Sequence, residues 1–173
     1  MTDSTLKQAI KEAYASAPSN VIIYHTLELR HPSFSSPIRV VQDKVNLTAT
    51  LEATAPANPG ESVLFQAFAF DFDKPEVGPN GVPQIQIELD NVDRSIVANI
   101  EAAVATMDLV HVTYREYIST DLTGPQNDPP IHATLTHITA DVFRVKATAG
   151  FVDLINRRFP NKEYDSETFP GLL

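Results

Sequence analysis

The chain has 173 residues, 43% hydrophobic and 20% charged, with 22 acidic against 13 basic residues and a formal net charge of −9. This is enough for one domain with a real core, and too apolar for wholesale disorder. It holds no cysteine, which excludes disulfides, thiolate zinc sites, iron–sulfur clusters and cysteine nucleophiles together. The acidic balance disfavours tight binding to nucleic acid or to anionic membrane surfaces, which recruit lysine and arginine. Met1 is followed by Thr2-Asp3-Ser4, without the basic and then apolar stretches of a signal peptide, so none is expected. No apolar run reaches the roughly 20 residues of a membrane helix, and a soluble domain is expected.

In chain order, Leu6, Ala9, Ile10, Ala13 and Tyr14 form one apolar helical stripe, so residues 5–16 read as a helix that Pro18 ends. Val21, Ile23, His25, Leu27 and Leu29 alternate with Ile22, Tyr24, Thr26, Glu28 and Arg30, the pattern of a half-buried strand. Short strands follow at 38–41 and 47–53, the latter with Leu47, Ala49 and Leu51 on one face. Residues 55–60 contain two prolines and a glycine and read as a loop. Residues 62–72 read as one central strand, apolar on both faces, with Leu64, Phe68, Phe70 and Phe72 on one of them. After a turn-rich loop at 74–83, residues 84–90 return in strict alternation with Ile85, Ile87 and Leu89 inward. Asp93 caps a second amphipathic helix over 94–107. A strand at 109–118, a polar loop at 119–130, a strand pair at 131–139 and 142–149 and a short helix at 151–157 follow.

The expected fold is mainly β (α+β): an antiparallel β-sandwich or barrel with an N-terminal helix and one internal helix. Residues 1–158 form a single β-rich domain with helices near 5–16 and 94–107. Residues 159–173 form an extended aromatic C-terminal tail. The core is expected to unite Phe68, Phe70, Ile85, Ile87, Leu89, Ile100 and Val104.

The search for chemistry yields little. Asp71 and Asp73 make an acidic pair at a strand end, but no glycine-rich phosphate loop accompanies them, and a polar strand end is the better reading. His132 and His137 are five apart on one strand, which points them to opposite faces and argues against a shared metal. His25 lies on an apolar face as a buried, hydrogen-bonded histidine, and His111 alternates with Thr113 and Arg115 on a wet face. The spacings of serine nucleophile elbows, metalloprotease helices and phosphate loops are absent. No catalytic residue, metal ligand or cofactor is expected, and the chain reads as a non-enzyme. The tail is harder to dismiss: Phe159, Tyr164, Phe169, Leu172 and Leu173 are large apolar groups in a stretch without periodicity. They either fold back on the domain or dock on a neighbouring subunit, and Phe159, Tyr164, Phe169 and Leu172 are the candidate interface residues.

Several stretches carry a resemblance. Glu12-Ala13-Tyr14-Ala15-Ser16-Ala17-Pro18, Leu27-Glu28-Leu29-Arg30-His31-Pro32, Glu88-Leu89-Asp90-Asn91-Val92, Asp121-Leu122-Thr123-Gly124-Pro125-Gln126 and Asn156-Arg157-Arg158-Phe159-Pro160 resemble a family of tailed-bacteriophage and prophage proteins from the tail-tip region. The resemblance spans nearly the whole chain, and the family is described as a domain of unknown function. It implies a structural minor tail protein of the virion, made in the bacterial host cytoplasm. The role implied is a ring-forming adaptor at the tail tip, between tail tube and central hub or fibre. The partners implied are further copies of the chain and the tube, hub and tape-measure proteins. DNA would pass through the lumen without sequence-specific binding, and no membrane is involved. Two alternatives stand beside it: a module that binds host-surface carbohydrate, and a cell-wall hydrolase acting during infection.

Overall fold

The period-two segments become strands in the computed structural model, which describes residues 7–16, 21–72, 84–90, 98–99, 102–103, 106, 108–140 and 144–150. Helix α1 (Gln8–Ser16) is followed by strands β1 (Ile23–Arg30), β2 (Ile38–Val41), β3 (Leu47–Thr50), β4 (Ser62–Ala67), β5 (Phe70–Phe72), β6 (Gln84–Asp90), β7 (His111–Ile118), β8 (Ile131–Ala140) and β9 (Arg144–Gly150). The fold is mainly β. These strands make one open mixed sheet of nine, in the order β3-β4-β2-β1-β7-β8-β9-β6-β5. Only β2 and β4 run parallel, through Val40↔Gln66 and Val41↔Ala67. Of the second predicted helix, Ala98, Asn99, Ala102 and Ala103 are helical and the rest lies outside the described residues. No helix among the described residues is long and apolar enough to cross a membrane.

The sheet turns back on its own face. Phe72 on β5 stacks on Tyr114 of β7 with centroids 4.0 Å apart and planes 4° from parallel, although β8, β9 and β6 separate the two strands in the sheet. A bulge between Leu135 and His137 on β8 helps, since an extra residue bends a strand and increases its twist. The resulting core unites Leu27, Leu29, Val40, Phe70, Ile85, Ile87, Leu89, Val112 and Tyr114, with Ala103 reaching in from the helical segment. Phe68 packs against it partly buried; Ile100 and Val104 lie outside the described residues. Ile87→Ala should cost about 2–5 kcal/mol, the loss of buried methyl groups plus the cavity they leave, and a urea melt of the purified variant reads it directly. An unchanged midpoint would mean that β6 sits in another register.

A second cluster lies on the opposite face of β1 and β7. Leu47, Ala49, Leu51, Ala55, Val63 and Phe65 cover Val41 and Tyr117 there. This cover corrects two expectations. Strand β1 is not half-buried: Thr26, Leu27, Glu28 and Leu29 are all buried. The face of Thr113 and Arg115 is not wet either: both are buried, and His111 alone of that trio is exposed. The covering unit is the β3–β4 hairpin, a long-range neighbour that local alternation does not encode.

Residues 62–72 do not form one central strand. β4 ends at Ala67, where Asn46 Oδ1 accepts the main-chain N–H at 2.8 Å, and Phe68 N–H donates to Val41 O at 2.9 Å. The chain then crosses to the far side of the sheet as β5, which pairs with β6. The break shifts the phase. Val63 and Phe65 point inward on β4 and Phe70 on β5, while Leu64, expected with the phenylalanines, is 53% exposed. On α1, Ile10 and Ala13 are buried as expected, but Tyr14 is 46% exposed.

Candidate functional site

Alternation along β1 and β7 sorts two polar assemblies onto opposite faces. On the face under the β3–β4 hairpin, Glu28 and Arg115 are both 0% exposed. Register places Arg39 of β2 directly opposite Glu28, and its Nε donates to Glu28 Oε2 at 2.7 Å. Arg115 forks onto Glu52, Nε to Oε2 at 2.7 Å and Nη2 to Oε1 at 2.8 Å, with its Nη1 3.7 Å from Glu28 Oε2. Arg30 Nε stands 3.3 Å from Glu28 Oε1. Glu52 and Asn58 come from the loop after β3. Asn58 adopts φ 54°, a left-handed conformation asparagine tolerates; its Oδ1 accepts from Arg39 Nη2 at 2.8 Å and its Nδ2 donates to Glu61 at 2.7 Å. Burial works against the Arg115 guanidinium, but hydrogen bonding to Glu52 and the charges of Glu28 and Glu52 outweigh it and hold it above its ordinary value. Burial lowers His132 from its ordinary value, and Arg115 adds to the effect. With each charge faced by an opposite one, this assembly is a tether that clamps the loop onto the sheet.

On the other face, His25 Nδ1 lies 2.7 Å from the Tyr114 hydroxyl, which donates to Glu116 Oε1. Since the phenol proton goes to the carboxylate, His25 is the donor at Nδ1. Tyr14 OH reaches the same carboxylate oxygen at 3.4 Å. Asn127 fixes the strand beneath: its Oδ1 accepts from Glu116 N–H at 2.9 Å and its Nδ2 donates to Tyr114 O at 3.2 Å. Burial, then the Glu116 charge, pushes the Tyr114 phenol well above its ordinary range. Burial does the same for Tyr117, with Arg115 opposing. Of the five tyrosines, these two should therefore stay protonated in an alkaline absorbance titration until the fold opens. Tyrosinate absorbance from all five at their ordinary pKa would contradict the geometry.

His25 and Tyr114 border a cleft of about 490 Å³ that also takes in Gln42, Asp71, Gln86, His137 and Lys146. Cross-strand register builds its wall: Asp71 faces Glu88, Glu88 faces Lys146, and Gln86 faces Thr148. Glu88 accepts from Arg144 Nη1 at 2.7 Å and lies 3.3 Å from Lys146 Nζ, so its charge is balanced in place.

The structure brings Asp71 to this cleft, on β5; Asp73 lies outside the described residues. His132 and His137 do not point to opposite faces. Register puts His132 beside Thr113 and His137 beside Thr148, and the bulge between Leu135 and His137 absorbs one residue and returns His137 to the polar face. No group of three or more His, Asp or Glu side chains among the described residues could hold a metal ion. His25 is hydrogen-bonded as expected, but its side chain is 31% exposed, not buried. Phe159, Tyr164, Phe169 and Leu172 lie outside the described residues. Sequence reasoning missed Glu28, Arg115, Tyr114 and Glu116. The signal was there: Arg115 and Glu116 sit between Tyr114 and Tyr117 and are the only Arg, Lys, Asp or Glu among residues 112–118 of the strand, and charges placed there need internal partners.

A family model described as "Domain of unknown function (DUF1833)" matches residues 9–164. No curated protein matches the chain.

Proposed function

Because the chain belongs to the DUF1833 family, whose description leaves its role open, we propose a function from the fold and from the phage-like stretches of the sequence. The chain is a structural subunit of a phage tail, a ring-forming adaptor at the tail tip between tail tube and central hub or fibre, with no catalytic role. The observation that carries this reading is the open sheet. An open sheet presents main-chain donors and acceptors along its outer strands, and pairing with a neighbour's strand satisfies them. Here the outermost strands are short, β3 with four residues and β5 with three, which limits indiscriminate pairing of a lone subunit. The folded-back sheet is taken in this reading as the sandwich of tail-tube and distal-tail proteins. Head-to-tail contacts that close around an axis make rings, and a net charge of −9 keeps DNA passing through the lumen from sticking.

The test is mass. The purified chain, alone or with its neighbouring tail proteins, should form species at a fixed multiple of 19.0 kDa, and purified virions should contain it. A chain that stays monomeric under every condition and is absent from virions would reject the role.

A further inference from the structure

We propose that the cleft bordered by His25 and Tyr114 is a binding site for a neutral saccharide. The proposal does not rest on the assembly reading, since it concerns the side chains that line the cleft and not main-chain pairing along the outer strands. The cleft's volume, about 490 Å³, lies within the range of small-molecule sites.

Its chemistry narrows the ligand by elimination. An apolar ligand is disfavoured because most of the lining is polar: Gln42, Asp71, Gln86, His137, Thr139 and Thr148. An anion would meet the Asp71 carboxylate, and the one lysine of the lining, Lys146, is held by Glu88 at 3.3 Å. A metal ion lacks a ligand set among the described residues, and Glu88 already has Arg144 and Lys146. An uncharged polyol suits what remains. Each sugar hydroxyl both donates and accepts, and the lining offers amides, hydroxyls and an imidazole that do the same. Gln42 donates its amide nitrogen to Phe70 O at 2.6 Å, which fixes the side chain and leaves the amide oxygen as an acceptor. Among the described residues, the side chains of Asp71, Gln86 and His137 enter no hydrogen bond or ion pair, in contrast to the interlocked charges around Arg115. Phe72, half-buried and stacked on Tyr114, supplies an apolar wall for the C–H face of a sugar ring.

The experiment is an amide-shift NMR titration of the full chain with glucose, galactose, N-acetylglucosamine, maltose and lactose, with inorganic phosphate as the charged comparison. At least one sugar should give saturable shifts at Gln86, His137 and Thr148. Asp71→Ala with Gln86→Ala should weaken that binding by about tenfold or more, the loss of hydrogen bonds from two side chains. Both side chains are exposed, so the melting temperature should stay unchanged; should the pair melt early, Gln86→Ala alone is the deciding variant. The proposal is overturned by no saturable shift with any of the five sugars, by shifts elsewhere on the chain, by undiminished binding in the variants, or by phosphate saturating the same residues.

Discussion

Arg115→Met should destabilise the chain by about 3–5 kcal/mol, because it breaks a buried ion pair from one side only and strands the partner charge. Arg115 is fully buried and holds both carboxylate oxygens of Glu52. Glu28 would keep Arg39 and Arg30, so the greater part of the loss falls on Glu52 and the loop it anchors. Replacing Glu52 as well, by leucine, should recover much of the loss, since a buried pair exchanged for apolar side chains of similar volume is often near neutral. A chemical-denaturation cycle over the two single variants and the double variant measures the coupling. If the double variant is no more stable than Arg115→Met, the pair is not the source of the effect.

The same pair makes stability depend on acid. Burial raises the Glu52 carboxyl, but its hydrogen bonds with Arg115 and the Arg115 charge outweigh that and leave it below its ordinary value. The folded-state pKa is thus below the unfolded one, and the unfolded state takes up the proton first as pH falls. The stabilisation is present above the unfolded value of about 4.3 and is lost as pH drops through the folded value. In Arg115→Met the dependence should flatten or reverse, because protonating Glu52 removes a charge that has lost its partner. Melting temperatures of the two proteins between about pH 6 and pH 3 distinguish these outcomes. Parallel curves would count against the assignment.

What sequence alone revealed depended on whether one strand face or two was buried. Ile85, Ile87 and Leu89 were legible because β6 alternates strictly and a one-residue slip would expose the whole set. The Thr113 and Arg115 face was misread because its cover, the β3–β4 hairpin with the loop that follows β3, comes from residues 47–67, far earlier in the chain. The break after Ala67 was invisible for a related reason. With Val63 and Phe65 on one parity and Leu64, Phe68 and Phe70 on the other, the single polar residue between them, Gln66, does not by itself mark a change of phase. The bulge on β8 has no glycine to announce it. The cleft was legible only as fragments: Asp71 was read as part of a polar strand end, and its partners on β6, β8 and β9 became neighbours through register between strands.

On the proposed tail-subunit role, deleting Tyr164–Leu173 should leave a folded domain that no longer enters tails. The cut falls where the family match ends, at residue 164, so nearly all of the matched segment is retained. Besides the tail, the sequence offers two long loops for contact between subunits, at 74–83 and at 119–130. The first lies outside the described residues. The second is largely committed to its own domain: Gln126 and Asn127 are buried, Gln126 N–H donates to Glu116 O at 2.7 Å, and Lys7 N–H donates to Gln126 O at 3.0 Å. That shifts the expectation to the tail, where Tyr164, Phe169 and Leu172 would each contribute about 1.5–3 kcal/mol on burial against a neighbour, and Pro170 reduces the entropy lost on docking. Complementation with the truncated gene, paired with a melting curve of the truncated protein, separates the outcomes. An unchanged melt with loss of infectious particles makes the tail an interface. Infectious particles built from truncated subunits would show that it is not one. A truncated protein that fails to fold would show that the tail packs on its own domain.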